Sequence, residues 1–278
     1  MKLSTDIIEE PTHVSFKDAL SGVSTAMTLL AAYLAQMRAE YDFNAMVTTI
    51  SKSLDELSDA LINYGCNPEY IASYKKWGDY GWSISPQVNN KFFLSKPLSL
   101  NDADEKMQNF CTLENITEIN KVLYTHGLNE EDLESARVCY ENKQYKPCAM
   151  LLFSMLDCQL IDKNYFGSDK NGNPYLKTGF AAIRELKDEG EKIFDENHFL
   201  SLLQYKLIIH SLMSLFDGDK NFENEPNIIN RNYLMHGKST KLITASDCYK
   251  LWSALYSLVV AYTELEESLK NDYNRKTL

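Results

Sequence analysis

Apolar residues return at intervals of three and four along most of this 278-residue chain, and that period constrains its fold more than any other feature. Leu20, Val23, Met27, Leu30, Leu34 and Met37 form one such stripe, and Phe43, Met46, Val47, Ile50, Leu54, Leu57 and Leu61 form a second. Side chains three and four apart share one face of an α-helix, whereas a half-buried strand needs strict alternation. Punctuation agrees, since only 11 Gly and 7 Pro interrupt the chain. The period therefore predicts an all-α protein with little or no sheet.

Ala19 to Met37 carries no charge and is about as long as a bilayer-crossing helix. Ser21, Gly22, Ser24, Thr25, Thr28 and Gln36 nevertheless fall off its apolar stripe, which is the pattern of a soluble amphipathic helix. With the second stripe it makes a helical hairpin that ends at Asn63-Tyr64-Gly65. The polar, acidic N-terminus lacks the basic start and apolar stretch of a signal peptide. A cytoplasmic protein with no membrane partner is expected.

Between Cys66 and Pro97 regularity fails. Lys75-Lys76-Trp77-Gly78-Asp79-Tyr80-Gly81-Trp82 sets aromatics between glycines, and Pro86 and Pro97 exclude one continuous helix. This reads as a connecting region whose aromatics pin it to the body of the protein, with base stacking beside two lysines as the other reading. Two parts follow: residues 1–98, the hairpin and connection, and residues 99–278, a helical domain.

Helices resume near Asp102. Asn129 is a natural N-cap for Glu130 to Glu141, because acids follow it at the positive end of the helix dipole. A strongly apolar helix runs from Tyr145 to about Tyr165, with Pro147 tolerated in its first turn. After a loop from Phe166 to Pro174 come helices over Gly179 to Glu189 and Glu196 to Phe216, an acidic Asn-rich loop from Asp217 to Pro226, and a last helix from Ala245 to about Leu269. His198 and His210 on the second of these read as satisfied helical residues rather than ligands.

No cofactor or metal is expected. The six cysteines, Cys66, Cys111, Cys139, Cys148, Cys158 and Cys248, are dispersed and form no zinc-ligand cluster. Asp169-x-Asn171-x-Asn173 starts like a calcium loop, but Pro174 stands where the turn needs Gly and Phe180 where the last ligand should be Glu. The net charge of −11 predicts no broad basic face, so any contact with nucleic acid must be local.

The remaining chemistry lies in Asn230-Arg231-Asn232-Tyr233-Leu234-Met235-His236-Gly237. A histidine can take the proton of a ribose 2′-hydroxyl or protonate the leaving 5′-oxygen, and an arginine can hold the scissile phosphate with a planar fork of donors. Positions five apart on a continuous helix point about 140° from each other and stand about 7.5 Å apart along the axis. Such a pair is a loose site in one chain and a better one where two copies face each other across a dimer. The same run also reads as local structure: Arg231 pairing with an acid of the 217–225 loop, His236 ending a short helix, and Gly237 as its left-handed cap. That reading leaves the flanking asparagines unaccounted for.

Arg231, a polar Asn232, three further residues, His236 and Gly237 resemble the signature of the HEPN superfamily of helical ribonucleases. Glu130 to Tyr165 resembles that family's opening pair of helices, and the likeness covers roughly the C-terminal half of the chain. The resemblance implies a metal-independent endoribonuclease, usually a homodimer, of the kind found in toxin–antitoxin, abortive-infection and other antiviral systems, sometimes with an antitoxin or regulatory partner. It assigns the reaction to Arg231 and His236, the polar position to Asn232, and an acid that orients the arginine to Asp157 on the second helix. Lys238 is placed to reach a neighbouring phosphate of the RNA. Two other functions fit the residues: a non-catalytic HEPN-like module that binds nucleotide or protein, and a helical scaffold assembled through the hairpin from Leu20 to Leu61.

Overall fold

Capping side chains fix where most of the described helices begin. A computed structural model describes residues 67–194, 199–218 and 221–267. The expected hairpin from Leu20 to Leu61, the apolar segment from Ala19 to Met37, His198 and the end of the last helix lie outside them. Helix α1, Pro68–Asp79, starts on Asn67, whose Oδ1 accepts from the Glu69 N–H at 2.9 Å, with Pro68 in the first turn. Ser99 caps α2, Leu100–Met107, and Thr112 caps α3, Leu113–Thr125. Asn129 accepts from Glu131 N and Asp132 N to open α4, Glu130–Glu141, as its acidic first turn predicts. The other helices are α5, Tyr145–Asp162; α6, Gly179–Ile193; α7, Phe199–Phe216; the short α8, Arg231–Met235; and α9, Ala245–Tyr256. Thr244 and Asp247 begin α9 with a reciprocal capping box. Helical structure then continues through a π-turn at Ser257–Ala261 to residue 267.

The described residues are thus overwhelmingly helical, as the period requires, with two local departures. The stretch read as an irregular connection contains α1. Its glycine sits inside that helix because α7 crosses there: a Cβ on Gly78 would lie 2.5 Å from the His210 Cβ and 2.8 Å from the Leu207 carbonyl oxygen. The loop after α5 is a small antiparallel hairpin, β1 (Phe166–Ser168) on β2 (Pro174–Leu176), with Phe166 opposite Leu176. Its turn is closed by the Asp169 carboxylate, which accepts from Asn171 N at 2.8 Å and Asn173 N at 2.9 Å. Those bonds, Asn173 first, hold the Asp169 carboxyl below its usual range.

α4 and α5 pack along each other, and α9 lies against α5 and α3. Trp252 of α9 is fully buried; its indole donates to Asn120 Oδ1 at 2.9 Å and meets the Tyr140 ring edge-on at 5.5 Å. Trp77 and Trp82 are also fully buried, which removes both from any base-stacking role and makes them anchors. Trp77 donates to the Ser95 carbonyl and Trp82 to Asp104 Oδ1, each at 2.9 Å. The buried ammonium of Lys250 reaches the same Asp104 oxygen at 2.8 Å and lies 5.1 Å from the Trp82 ring centre. Ser83 donates to Ser257 Oγ at 2.7 Å, so the segment after α1 is tied to the π-turn of the last helix. His210 is satisfied, as expected, by Asp79 at 2.8 Å. Among the described residues, no helix is long and apolar enough to cross a membrane.

Candidate functional site

The site is built on the junction between the end of α7 and the short helix α8. Asn230 is 3% exposed and caps α8, its Oδ1 accepting from Asn232 N at 3.0 Å and Tyr233 N at 3.4 Å. Its own amide donates to the Asp217 carbonyl. Asn232 donates from Nδ2 to the Phe216 carbonyl at 3.3 Å. The two asparagines therefore bind consecutive carbonyls at the C-terminal end of α7, groups that a helix leaves without intrahelical partners. Their presence around Arg231 has a structural reason, and it fixes the position of the arginine.

Among the described residues, the ion pair of Arg231 is with an acid of α5 and not with one of the 217–225 loop. The side chain reaches α5, where Nε and Nη2 both donate to Asp157 Oδ2, at 2.9 and 2.7 Å. Nη1 points at Asn232 Oδ1 over a longer 3.4 Å. The two side chains are 27% and 17% exposed, so the pair is partly sheltered but open to a ligand. A guanidinium has five N–H donors. Two are engaged by Asp157 on the Nε–Nη2 edge and a third, on Nη1, by Asn232, which leaves two. Residues 74 positions apart thus produce an arginine held on its Nε–Nη2 edge, with two N–H groups left over.

His236 stands at the C-cap of α8, exposed, with φ −89° and ψ 5°. The N–H of Gly237 donates to the Leu234 carbonyl at 3.1 Å, and that of Lys238 to the Tyr233 carbonyl at 2.8 Å. Gly237 adopts φ +68°, completing the left-handed cap that its place after the histidine predicts. The imidazole lies edge-on to Phe222, ring centres 5.4 Å apart, and Phe222 also contacts Tyr233. Arg231 and His236 therefore have different partners, and no hydrogen bond joins them among the described residues. Lys238 is exposed just beyond the histidine and makes no ion pair among the described residues.

Sequence reasoning does not single out Phe222 or Glu225, because both act across a loop with no periodic signal. Glu225 accepts from Ser239 Oγ at 2.6 Å, Thr240 N at 3.1 Å and Thr240 Oγ1 at 3.0 Å, strapping the acidic loop to the segment after the motif. Desolvation would raise its pKa, but the bonds from Ser239 and Thr240 and the charge of Lys241 outweigh it, and the carboxyl sits below its ordinary value. Among the described residues no cluster of His, Cys, Asp or Glu has the arrangement of a metal site. Comparison of the chain with protein-family models, with curated proteins and with solved structures returns no match.

Proposed function

We propose that this chain is an endoribonuclease of HEPN type that cleaves RNA at a composite site in a homodimer cleft, acting in phage defence or in toxin–antitoxin systems under an antitoxin or regulatory partner. The observation that carries the reading is the Asp157–Arg231 pair, in which a carboxylate on α5 steadies one edge of the guanidinium and leaves the other for a phosphate. In the reaction, the imidazole of one His236 takes the proton of the 2′-hydroxyl, and the 2′-oxygen attacks the adjacent phosphorus. The bond to the 5′-oxygen breaks, that oxygen receives the proton held by the imidazolium, and a 2′,3′-cyclic phosphate and a 5′-hydroxyl result. Arg231 stabilises the charge that grows on the phosphoryl oxygens. DNA lacks the attacking hydroxyl and is spared. Asn232 and Asp157 are positioning residues, acting through the arginine, and Lys238 meets a neighbouring phosphate.

Incubation of the purified protein with total RNA in chelator, followed by analysis of the ends, tests this. Cyclic phosphate ends that disappear in Arg231→Ala and in His236→Ala are expected, and cleavage surviving both substitutions overturns the assignment. A second reading is a non-catalytic module that binds nucleotide or protein. It is favoured by one observation: Arg231 and His236 each have an intramolecular partner already, Asp157 and Phe222. Undiminished ligand binding with no cleavage by the wild-type protein selects it.

A further inference from the structure

One groove of this acidic protein is basic. It opens where α5 and α9 begin, has a volume of about 540 Å³, and is lined by ten residues that include Lys143, Lys146 and Lys241 and no carboxylate. The two helix starts are joined by the Cys248 thiol, which donates to the Tyr145 carbonyl at 3.3 Å. Lys143 and Lys146 are exposed and make no ion pair among the described residues. The ammonium of Lys241 is covered and has no hydrogen-bond partner among the described residues. Two carboxylates, Glu225 and Asp247, act on it through their charge, and the hydrogen bonds of both go elsewhere, Glu225 to Ser239 and Thr240 and Asp247 to Thr244 in the capping box. A covered ammonium without an acceptor is costly, and its flexible stem lets it turn toward an anion that enters the groove.

Position links this groove to Arg231. Lys146 and Asp157 lie eleven residues apart on the one helix α5. At about 100° and 1.5 Å per residue they share a face, offset by roughly 20°, and are separated by about 16 Å along the axis. Met150 and Ser154, about 40° and 80° round the helix from Lys146, are exposed and border the path between them. From the other direction, His236 and Lys241 are five residues apart, at most about 18 Å of chain.

Resting on the RNA-cleavage reading, we propose that the groove binds a backbone phosphate of the same RNA strand. That phosphate lies several nucleotides from the scissile one, so the substrate runs along the exposed face of α5. A binding site for RNA phosphate is thereby assigned to Lys143, Lys146 and Lys241, remote from the cleaving pair.

The test uses a fluorescent 12-mer RNA carrying 2′-O-methyl groups throughout, which cannot be cleaved by internal attack, and measures its binding by anisotropy over a salt series. The variant is Lys143→Gly with Lys146→Gln. Lys143 sits at φ +59° without being glycine, so the first change relaxes the backbone while removing the charge, and the second acts at an exposed side chain. About tenfold weaker binding at low salt is expected, with the slope of log K against log salt reduced by about 0.7, the share of one lost phosphate contact on a single strand. Unchanged affinity and slope overturn the proposal, as does a wild-type protein that binds no 12-mer at any salt. Unmodified RNA of the same sequence separates the two readings. Binding through the groove without cleavage defeats the nuclease assignment and leaves the groove standing, whereas cleavage with no effect of the lysine changes does the reverse.

Discussion

At the scale of single residues, the guanidinium of Arg231 matters through its orientation as much as its charge. Both bonds to α5 fall on one oxygen of Asp157, so that carboxylate works as a pivot for the arginine's inner edge. Asp157→Asn keeps an acceptor oxygen but removes the charge that attracts both donors. Hydrogen bonds to charged groups are worth about 1.5–3 kcal/mol, and the pair is partly exposed, so a stability loss of about 1 kcal/mol is expected by denaturant melts. The effect on chemistry should be larger. If the chain cleaves RNA as proposed, Arg231→Ala removes a transition-state contact and should lower kcat by a factor of about 100 or more. Asp157→Asn leaves the arginine in place but loosely aimed, and should lower kcat about tenfold with KM nearly unchanged. An Asp157→Asn enzyme whose kcat equals wild type would show that the pairing is structural only.

At the scale of elements, legibility in the sequence follows the range of the interaction. Asn129 and its three following acids, and Pro147 in the first turn of α5, announce their helix starts through contacts within four residues, and the structure has both. Asn67-Pro68 with Glu69 is an equally local start signal for α1, but Gly78 and the neighbouring aromatics obscure it. The reason for that glycine, the crossing with α7 at His210, lies more than 130 positions away. The hairpin after α5 was hidden because its strands are three residues each, too short to show alternation. At the site, the order Arg231 to His236 to Gly237 is visible in the chain, whereas the acid-to-arginine contact became an expectation only through a family resemblance. The Glu225 strap had no visible signal at all. Its carboxyl has a lower pKa folded than the ordinary value of about 4.3, so the stabilisation it brings is complete above that ordinary value and is lost as pH falls through the folded one. Glu225→Gln should cost about 1 kcal/mol at pH 7, a drop in Tm of roughly 3 °C. The difference between the two proteins should close toward zero as pH falls through the folded value. A Tm gap that is constant from neutral pH into acid would mean that the strap does not depend on the charge.

At the scale of the whole molecule, the different partners of Arg231 and His236 bear on how many chains a working site needs. Arg231 is drawn toward α5, and His236 faces Phe222 of the loop after α7. One chain therefore offers an arginine and a histidine with separate settings, and a second copy related by a two-fold axis would bring each to the other's complement. The composite reading makes a quantitative claim. When Arg231→Ala and His236→Ala proteins are unfolded together and refolded, about half of the dimers are mixed. Each mixed dimer keeps one intact arginine and one intact histidine, and these belong to different chains. If the working pair is formed across the interface, a mixed dimer retains one of two sites, so the mixture recovers about a quarter of wild-type activity, while either variant alone stays inactive. If the pair works within one chain, every mixed dimer lacks a complete pair and no activity returns. Sedimentation of the wild-type protein at the assay concentration completes the experiment, since a monomer that cleaves RNA at the full rate is incompatible with a site shared between chains.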